Sequence, residues 1–245
     1  MNSFEKITAF LYHAFFPNRC PFCDRVIPYL DECCPDCAKE LTPREDASID
    51  LGPERMLDSA FAPYSYHSIA KQAVWNLKFF GSQQSAIPMA RMMATVLKGH
   101  PEIRCDCIIP VPLSRAKHYR RGYNQSEELG RTLASVLDLP QENRVLRKIR
   151  QTSDQHRLSA QERAENLTGA FRVFRPKAVK GKRVLLVDDV FTTGWTMHEC
   201  ARMLKQAGAL SVTGLTFCRA GEEEDREEPQ TFGEDALLES RLASR

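Results

Sequence analysis

The chain has 245 residues, 42% of them hydrophobic and 27% charged, as expected of a globular protein with one main domain and room for a small second one. The formal charge of +2 hides an asymmetry: from Gly221 onward nine Asp or Glu face three Arg, about −6, which leaves about +8 on the body. No apolar run approaches the ~18 residues of a bilayer span, and the N-terminus lacks a signal-peptide pattern. Nine cysteines built around two CxxC pairs argue for a metal in a reducing cytosol and against a disulfide framework.

In chain order, Phe4, Ile7, Phe10, Leu11, Ala14 and Phe15 recur at helical spacing until Pro17, so residues 1–17 are expected to form an amphipathic helix that packs on the body. Its polar face lacks the Lys and Arg of a membrane-surface helix. Residues 18–41 carry Cys20-Pro-Phe-Cys23 and Cys34-Pro-Asp-Cys37. Two knuckles of this spacing converge on one tetrahedral ion, which predicts a zinc ribbon with Cys20, Cys23, Cys34 and Cys37 as ligands. Four thiolates leave no open position, so the Zn²⁺ is read as structural, and Cys33 falls outside the spacing. Residues 42–56 are polar, with Pro43 and Pro53, and read as a linker.

From Leu57 to about residue 220 the pattern is α/β. Leu57 to Tyr66 reads as extended, Ile69 to Phe80 and Pro88 to Leu97 as helices, and Cys107 to Val111 as a buried strand. That strand runs into a basic loop, Leu113-Ser114-Arg115, Lys117 and Arg120-Arg121, before a helix over Glu127 to Leu137. Val145 to Lys148 and Ala170 to Phe174 predict a strand pair, and Gln151 to Thr168 between them is polar. Residues 144 to 183 hold twelve Lys or Arg against three Asp or Glu, a charge that suits a sugar phosphate or a DNA backbone equally.

Val184 to Val187 form a short apolar run of the kind buried in a parallel sheet. Asp188 and Asp189 follow it, then Val190, Phe191, Thr192, Thr193, Gly194, Trp195 and Thr196, and a helical pattern through Met197, Cys200, Ala201 and Leu204. Ligands of open α/β sheets bind beyond the carboxyl ends of strands. A Gly-containing turn at a helix N-terminus offers backbone N–H groups and a positive dipole end to an anion. The two carboxylates repel phosphate but accept hydrogen bonds from a diol, so the site is built for a sugar phosphate. A strand from Ser211 to Phe217 completes the sheet, and residues 221–245 read as an acidic, disordered tail.

The stretch from Arg183 to Thr196 resembles the PRPP-binding motif of type I phosphoribosyltransferases. With the ribbon, Pro110-Val-Pro-Leu113, Arg120-Arg121-Gly122-Tyr-Asn124-Gln125 and Arg147-Lys-Ile-Arg150-Gln-Thr152 with Gln155, Arg157, Arg163 and Asn166, the chain is similar to the ComF family. The resemblance implies a type I phosphoribosyltransferase-like parallel sheet flanked by helices behind a small zinc ribbon. Asp188 and Asp189 would hold the ribose hydroxyls and residues 190–196 the 5′-phosphate. Arg115, Lys117, Arg120 and Arg121, with Leu113 and Ser114, would face the pyrophosphate, and Mg²⁺ would accompany PRPP. Arg147, Arg150, Thr152, Gln155, Arg157 and Arg163 would belong to a hood that contacts ligand or DNA. The family also implies a role in natural competence or DNA utilisation, with single-stranded DNA as partner. Competence-machinery proteins would join it from a cytoplasmic place peripheral to the inner membrane. An active transferase and a PRPP sensor without chemistry are the alternatives, and the residues name no acceptor pocket.

Overall fold

The computed structural model describes residues 17–52, 56–79, 83–150 and 167–221. The expected N-terminal helix, the acidic tail beyond Gly221 and the four hood candidates Thr152, Gln155, Arg157 and Arg163 lie outside the described residues.

The body is built on a parallel sheet. Strands β1 (Ser59–Phe61), β3 (Cys107–Pro110), β6 (Arg183–Phe191) and β7 (Ser211–Arg219) lie in the order β1-β7-β6-β3, and β2 (Tyr64–Ser65) continues the β1 edge along β7. Every pair in this sheet is parallel, with Pro110 beside Val187 and Phe191 beside Arg219. Strands buried on both faces need no polar alternation, and Val184 to Val187 are all buried. Their side chains still alternate between faces. Leu185 and Val187 join one core with helices α2 (Ser68–Phe79), α3 (Ala86–Gly99) and α5 (Gln125–Leu137). Val184 and Leu186 join a second core with α6 (Trp195–Gln206) and an antiparallel ribbon of β4 (Leu146–Lys148) and β5 (Phe171–Val173). Burying a side chain of the Leu or Met class stabilises by about 1.5–3 kcal/mol, so these two layers hold the sheet.

Ion pairs pin the amino edge of the sheet, away from the strand ends that face ligands in such folds. Arg183 makes a two-pronged pair with Asp106, and the same carboxylate accepts the Arg183 backbone N–H at 2.8 Å. That guanidinium fork draws Asp106 down to about 2. Asp58 accepts Val212 N–H at 2.7 Å and pairs with Lys205.

The structure departs from the sequence reading in three places. The strand carrying the acidic pair does not end at Val187 but runs on through Phe191, because β7 pairs with it to Arg219. The basic loop is a short helix, α4 (Arg115–Arg121), capped by Ser114 Oγ accepting Lys117 N–H and closed by Gly122 at φ 79°. The stretch read as a linker packs in part: Pro43 and Ser48 bridge antiparallel to Tyr64 and Phe61, and Ile49 is buried. Arg44 braces it, donating to the carbonyls of Ala47, Ser48 and Ala62.

Candidate functional site

At the carboxyl edge of the sheet, strand alternation decides what Asp188 and Asp189 see. They do not form a side-by-side pair opening on solvent. Asp189, buried, turns toward α2, where Lys78 Nζ lies 3.1 Å from its Oδ2. Asp188, half-buried, accepts the Ser126 hydroxyl of α5 at 2.8 Å and the Asp189 backbone N–H at 2.9 Å. Burial first, and the neighbouring Asp189 charge second, push the Asp188 carboxyl up to about 7; Ser126, that backbone N–H and Lys78 pull the other way. The acidic mouth is therefore largely neutralised from within, one carboxylate by an ammonium and the other by its tendency to hold a proton.

The turn after β6 reverses the chain into α6. Gly194 sits at φ 73°, and a Cβ there would fall 2.3 Å from the Phe191 ring, so the turn accepts glycine alone. Phe191 is buried under this turn, and its carbonyl accepts Ala220 N–H at 2.8 Å. Thr192 is exposed, Thr193 and Thr196 half-buried, beside the first amides of α6, which lack partners four residues back. Trp195 contributes otherwise: its ring meets His198 edge-on at 5.4 Å and lines a cleft of about 280 Å³ with Leu167, Thr168, Glu199 and Arg202.

Positive charge approaches the mouth from two sides. Helix α4 buries none of its residues; Arg115, Lys117 and Arg120 are exposed, and Tyr119 is 93% exposed. Arg121 folds back onto α2, its guanidinium 5.0 Å from the Phe79 ring centre. On the ribbon, Arg147 lies over Phe174 and Arg150 donates to the Thr168 carbonyl at 3.0 Å. Lys148 points inward, over Phe171, and burial lowers its pKa, helped by the nearby Lys117 charge and opposed by Asp188.

The four expected ligand cysteines come together. The Sγ atoms of Cys20, Cys23, Cys34 and Cys37 all lie within 4.8 Å of one another, with Cys23 and Cys34 at 3.7 Å. A thiolate tetrahedron with bonds of about 2.3 Å has sulfur–sulfur edges of roughly 3.8 Å, so these residues fit a metal ion. The first knuckle is closed by Cys20 N–H to the Arg25 carbonyl and Asp24 N–H to the Cys20 carbonyl, with Asp24 at φ 61°. The second opens helix α1 (Pro35–Glu40) with Cys34 as its N-cap. Cys33 stands outside the group. The cluster is not a detached module: Phe22 and Ile27 belong to the core of α2 and α3, and Arg91 donates to the Tyr29 carbonyl at 2.6 Å.

Three residues of the site escape the sequence reading. Lys148 had a signal, since it shares a strand face with buried Leu146. Lys78 follows Leu77 and lies four residues after Val74, both buried, which places a cation at the edge of a helix's core stripe. Ser126 gave none. Tyr123, three residues before Ser126, is buried and its hydroxyl donates to the Leu77 carbonyl.

Comparison with known proteins shows the family. Residues 76–234, which include Lys78, Ser126, Asp188 and the Gly194 turn, match the phosphoribosyl transferase domain family. The DNA utilization protein YhgH of Salmonella typhi is 34% identical over 213 residues, spanning 82% of this chain and 89% of that protein. Competence protein F of Haemophilus influenzae is 31% identical over 208 residues, 82% of this chain and 84% of its own. Competence protein ComFC of Bacillus subtilis is 28% identical over 205 residues, 82% and 78%. The chain belongs to the phosphoribosyl transferase family, and within it to the ComF group of competence and DNA utilization proteins.

Proposed function

We propose that this protein binds PRPP with Mg²⁺ at the carboxyl edge of its sheet and uses that site in handling single-stranded DNA. The observation that carries the reading is the continuous strand-turn-helix from Asp188 to Thr196, in which two carboxylates for a diol lead directly into a Gly194 turn for a phosphate. Asp188 and Asp189 hold the ribose hydroxyls and residues 190–196 the 5′-phosphate. Arg115, Lys117 and Arg120, with Lys148 from the ribbon, face the pyrophosphate. Mg²⁺ would enter with PRPP beside Asp188 and Asp189 and would offset the negative charge of the diphosphate. The four-cysteine centre holds Zn²⁺ as a structural ion, since four thiolates suit that ion and leave it no open position.

The nucleic-acid half of the proposal draws on α4. A helix with no buried residue, three exposed cations and an almost fully exposed tyrosine suits a strand of phosphates and unstacked bases. The relatives' names place them in DNA utilization and competence. No helix among the described residues is long and apolar enough to cross a membrane.

The deciding experiment titrates PRPP, with Mg²⁺ present, into the purified protein and follows pyrophosphate release with nucleobases, ammonia and single-stranded DNA as acceptors. Saturable PRPP binding is expected. Release with one acceptor would make the protein a transferase, and binding without release a PRPP-responsive DNA-handling protein. Absence of PRPP binding defeats the reading.

A further inference from the structure

Three consecutive residues in the last turn of α2 join parts of the molecule far apart in sequence. Asn76, only 9% exposed, donates through Nδ2 to the carbonyls of Pro21 at 2.8 Å and Phe22 at 3.1 Å. Those are the two residues between Cys20 and Cys23, the middle of the first cysteine knuckle. Its Oδ1 accepts from Gln72 Nε2 at 2.9 Å, so both amide hydrogens and one oxygen lone pair are engaged. Next to it, the Leu77 carbonyl accepts the Tyr123 hydroxyl. Lys78 then reaches Asp189 Oδ2 at 3.1 Å.

The last four carbonyls of a helix have no partners within the helix, so side-chain ties set the position of its final turn. Here those ties lead to a knuckle whose own shape depends on the ion it wraps. Small metal-bound knuckles gain their fold from the metal. Without it, the Pro21 and Phe22 carbonyls lose their fixed places and the buried Asn76 amide loses its acceptors. The turn that carries Lys78 then keeps its Tyr123 tie but loses its ties to the knuckle.

We propose that this turn is a coupling element: metal bound by the four cysteines places Lys78 on Asp189, and thereby sets the affinity of the acidic mouth for an anionic sugar phosphate. The inference rests on the PRPP reading of that mouth. With Lys78 seated, Asp189 presents no net charge to the phosphates of the ligand. With Lys78 displaced, the Asp189 carboxylate stands uncompensated and repels them. Asn76 and Lys78 are positioning residues, and coupling between two binding sites is reciprocal.

The test measures both directions. PRPP with excess Mg²⁺ is titrated calorimetrically into zinc-loaded protein and into protein stripped by a zinc-selective chelator. The zinc affinity is then measured by competition with that chelator, with and without PRPP. Stripping should weaken PRPP binding at least about fivefold, the lower range of ordinary site coupling, and PRPP should tighten zinc by the same factor. Asn76→Ala should bind PRPP at the weakened level and lose nothing more on stripping. Lys78→Arg should keep the coupling and Lys78→Met should abolish it; the latter leaves the knuckle untouched, so it decides the matter even if Asn76→Ala folds poorly. Equal PRPP affinity with and without zinc, or coupling that survives Lys78→Met, overturns the inference while the sugar-phosphate site stands. A zinc-loaded wild type that binds no PRPP removes the site and the coupling together.

Discussion

The Ser126 hydroxyl donates to Asp188 Oδ1 across 2.8 Å, joining the first turn of α5 to the carboxyl half of β6 over 62 residues of chain. It is a link between the helix that follows β3 and α4 and the strand that carries the proposed ligand site. It also bears on protonation, because a hydrogen bond to the charged form favours that form.

The first prediction concerns pH. Asp188 titrates near 7 in the folded protein, above its ordinary value of 3.8, so the folded state holds a proton there that the unfolded chain releases. The stability this contributes is fully present below about pH 4 and is lost as pH rises through about 7. The melting temperature of the ligand-free protein should fall between about pH 4 and 7 by more than in Asp188→Asn, which cannot titrate, and level off above that. The loss is steepest midway between the two values, at no more than about 1.4 kcal/mol per pH unit. Ser126→Ala, which removes a bond to the carboxylate, should move the fall to higher pH. Melting curves across this range check it, and parallel curves for wild type and Asp188→Asn would contradict it.

The second concerns the acidic pair and its cation. Hydrogen bonds to charged groups are worth about 1.5–3 kcal/mol, so Asp188→Asn/Asp189→Asn should weaken PRPP binding at least about tenfold. Asp189→Asn alone should also lower the melting temperature, because it leaves the Lys78 ammonium, 23% exposed, without its carboxylate. Calorimetry and thermal melts on the single and double variants check both halves.

The third concerns the cysteines. Metal analysis should find about one zinc per chain, retained in Cys33→Ser and lost in Cys34→Ser, since only the latter belongs to the four converging sulfurs. Loss of the metal should lower the melting temperature of the whole body, as Phe22 and Ile27 from the same segment pack in its core. Equal zinc loss in both variants would show the assignment to be wrong.

The fourth concerns α4. Removing Arg115, Lys117 and Arg120 together should reduce the slope of log affinity for single-stranded DNA against log salt by about two, at roughly 0.7 per phosphate contact. Tyr119→Ala should cost about 1–3 kcal/mol of DNA binding without changing that slope, because a stacked base carries no counterion. Neither change should alter the melting temperature, as the helix buries nothing. Fluorescence titrations of a labelled oligonucleotide over a salt series separate the two effects.

Local chemistry settled much of this molecule in advance. The period of the apolar residues gave the strands and most of the helices, the cysteine spacing gave four sulfurs that converge, and the run from Asp188 to Thr196 gave a strand, a Gly194 turn and a helix, because each is a short-range pattern that one segment satisfies alone. The acid pair's surroundings were not of that kind. Whether two adjacent carboxylates are a bare charge pair or a neutralised one depends on the far sides of the sheet, where α2 brings Lys78 to Asp189 and α5 brings Ser126 to Asp188. The same holds for the length of β6, which its pairing with β7 extends to Phe191, and for the basic stretch at Arg115, which a Ser114 cap and Gly122 turn into a helix. Asn76 reads in sequence as one more polar residue on an amphipathic helix. Only the folded chain places it against Pro21 and Phe22, because contacts over some fifty residues are set by how layers pack and leave no periodic trace.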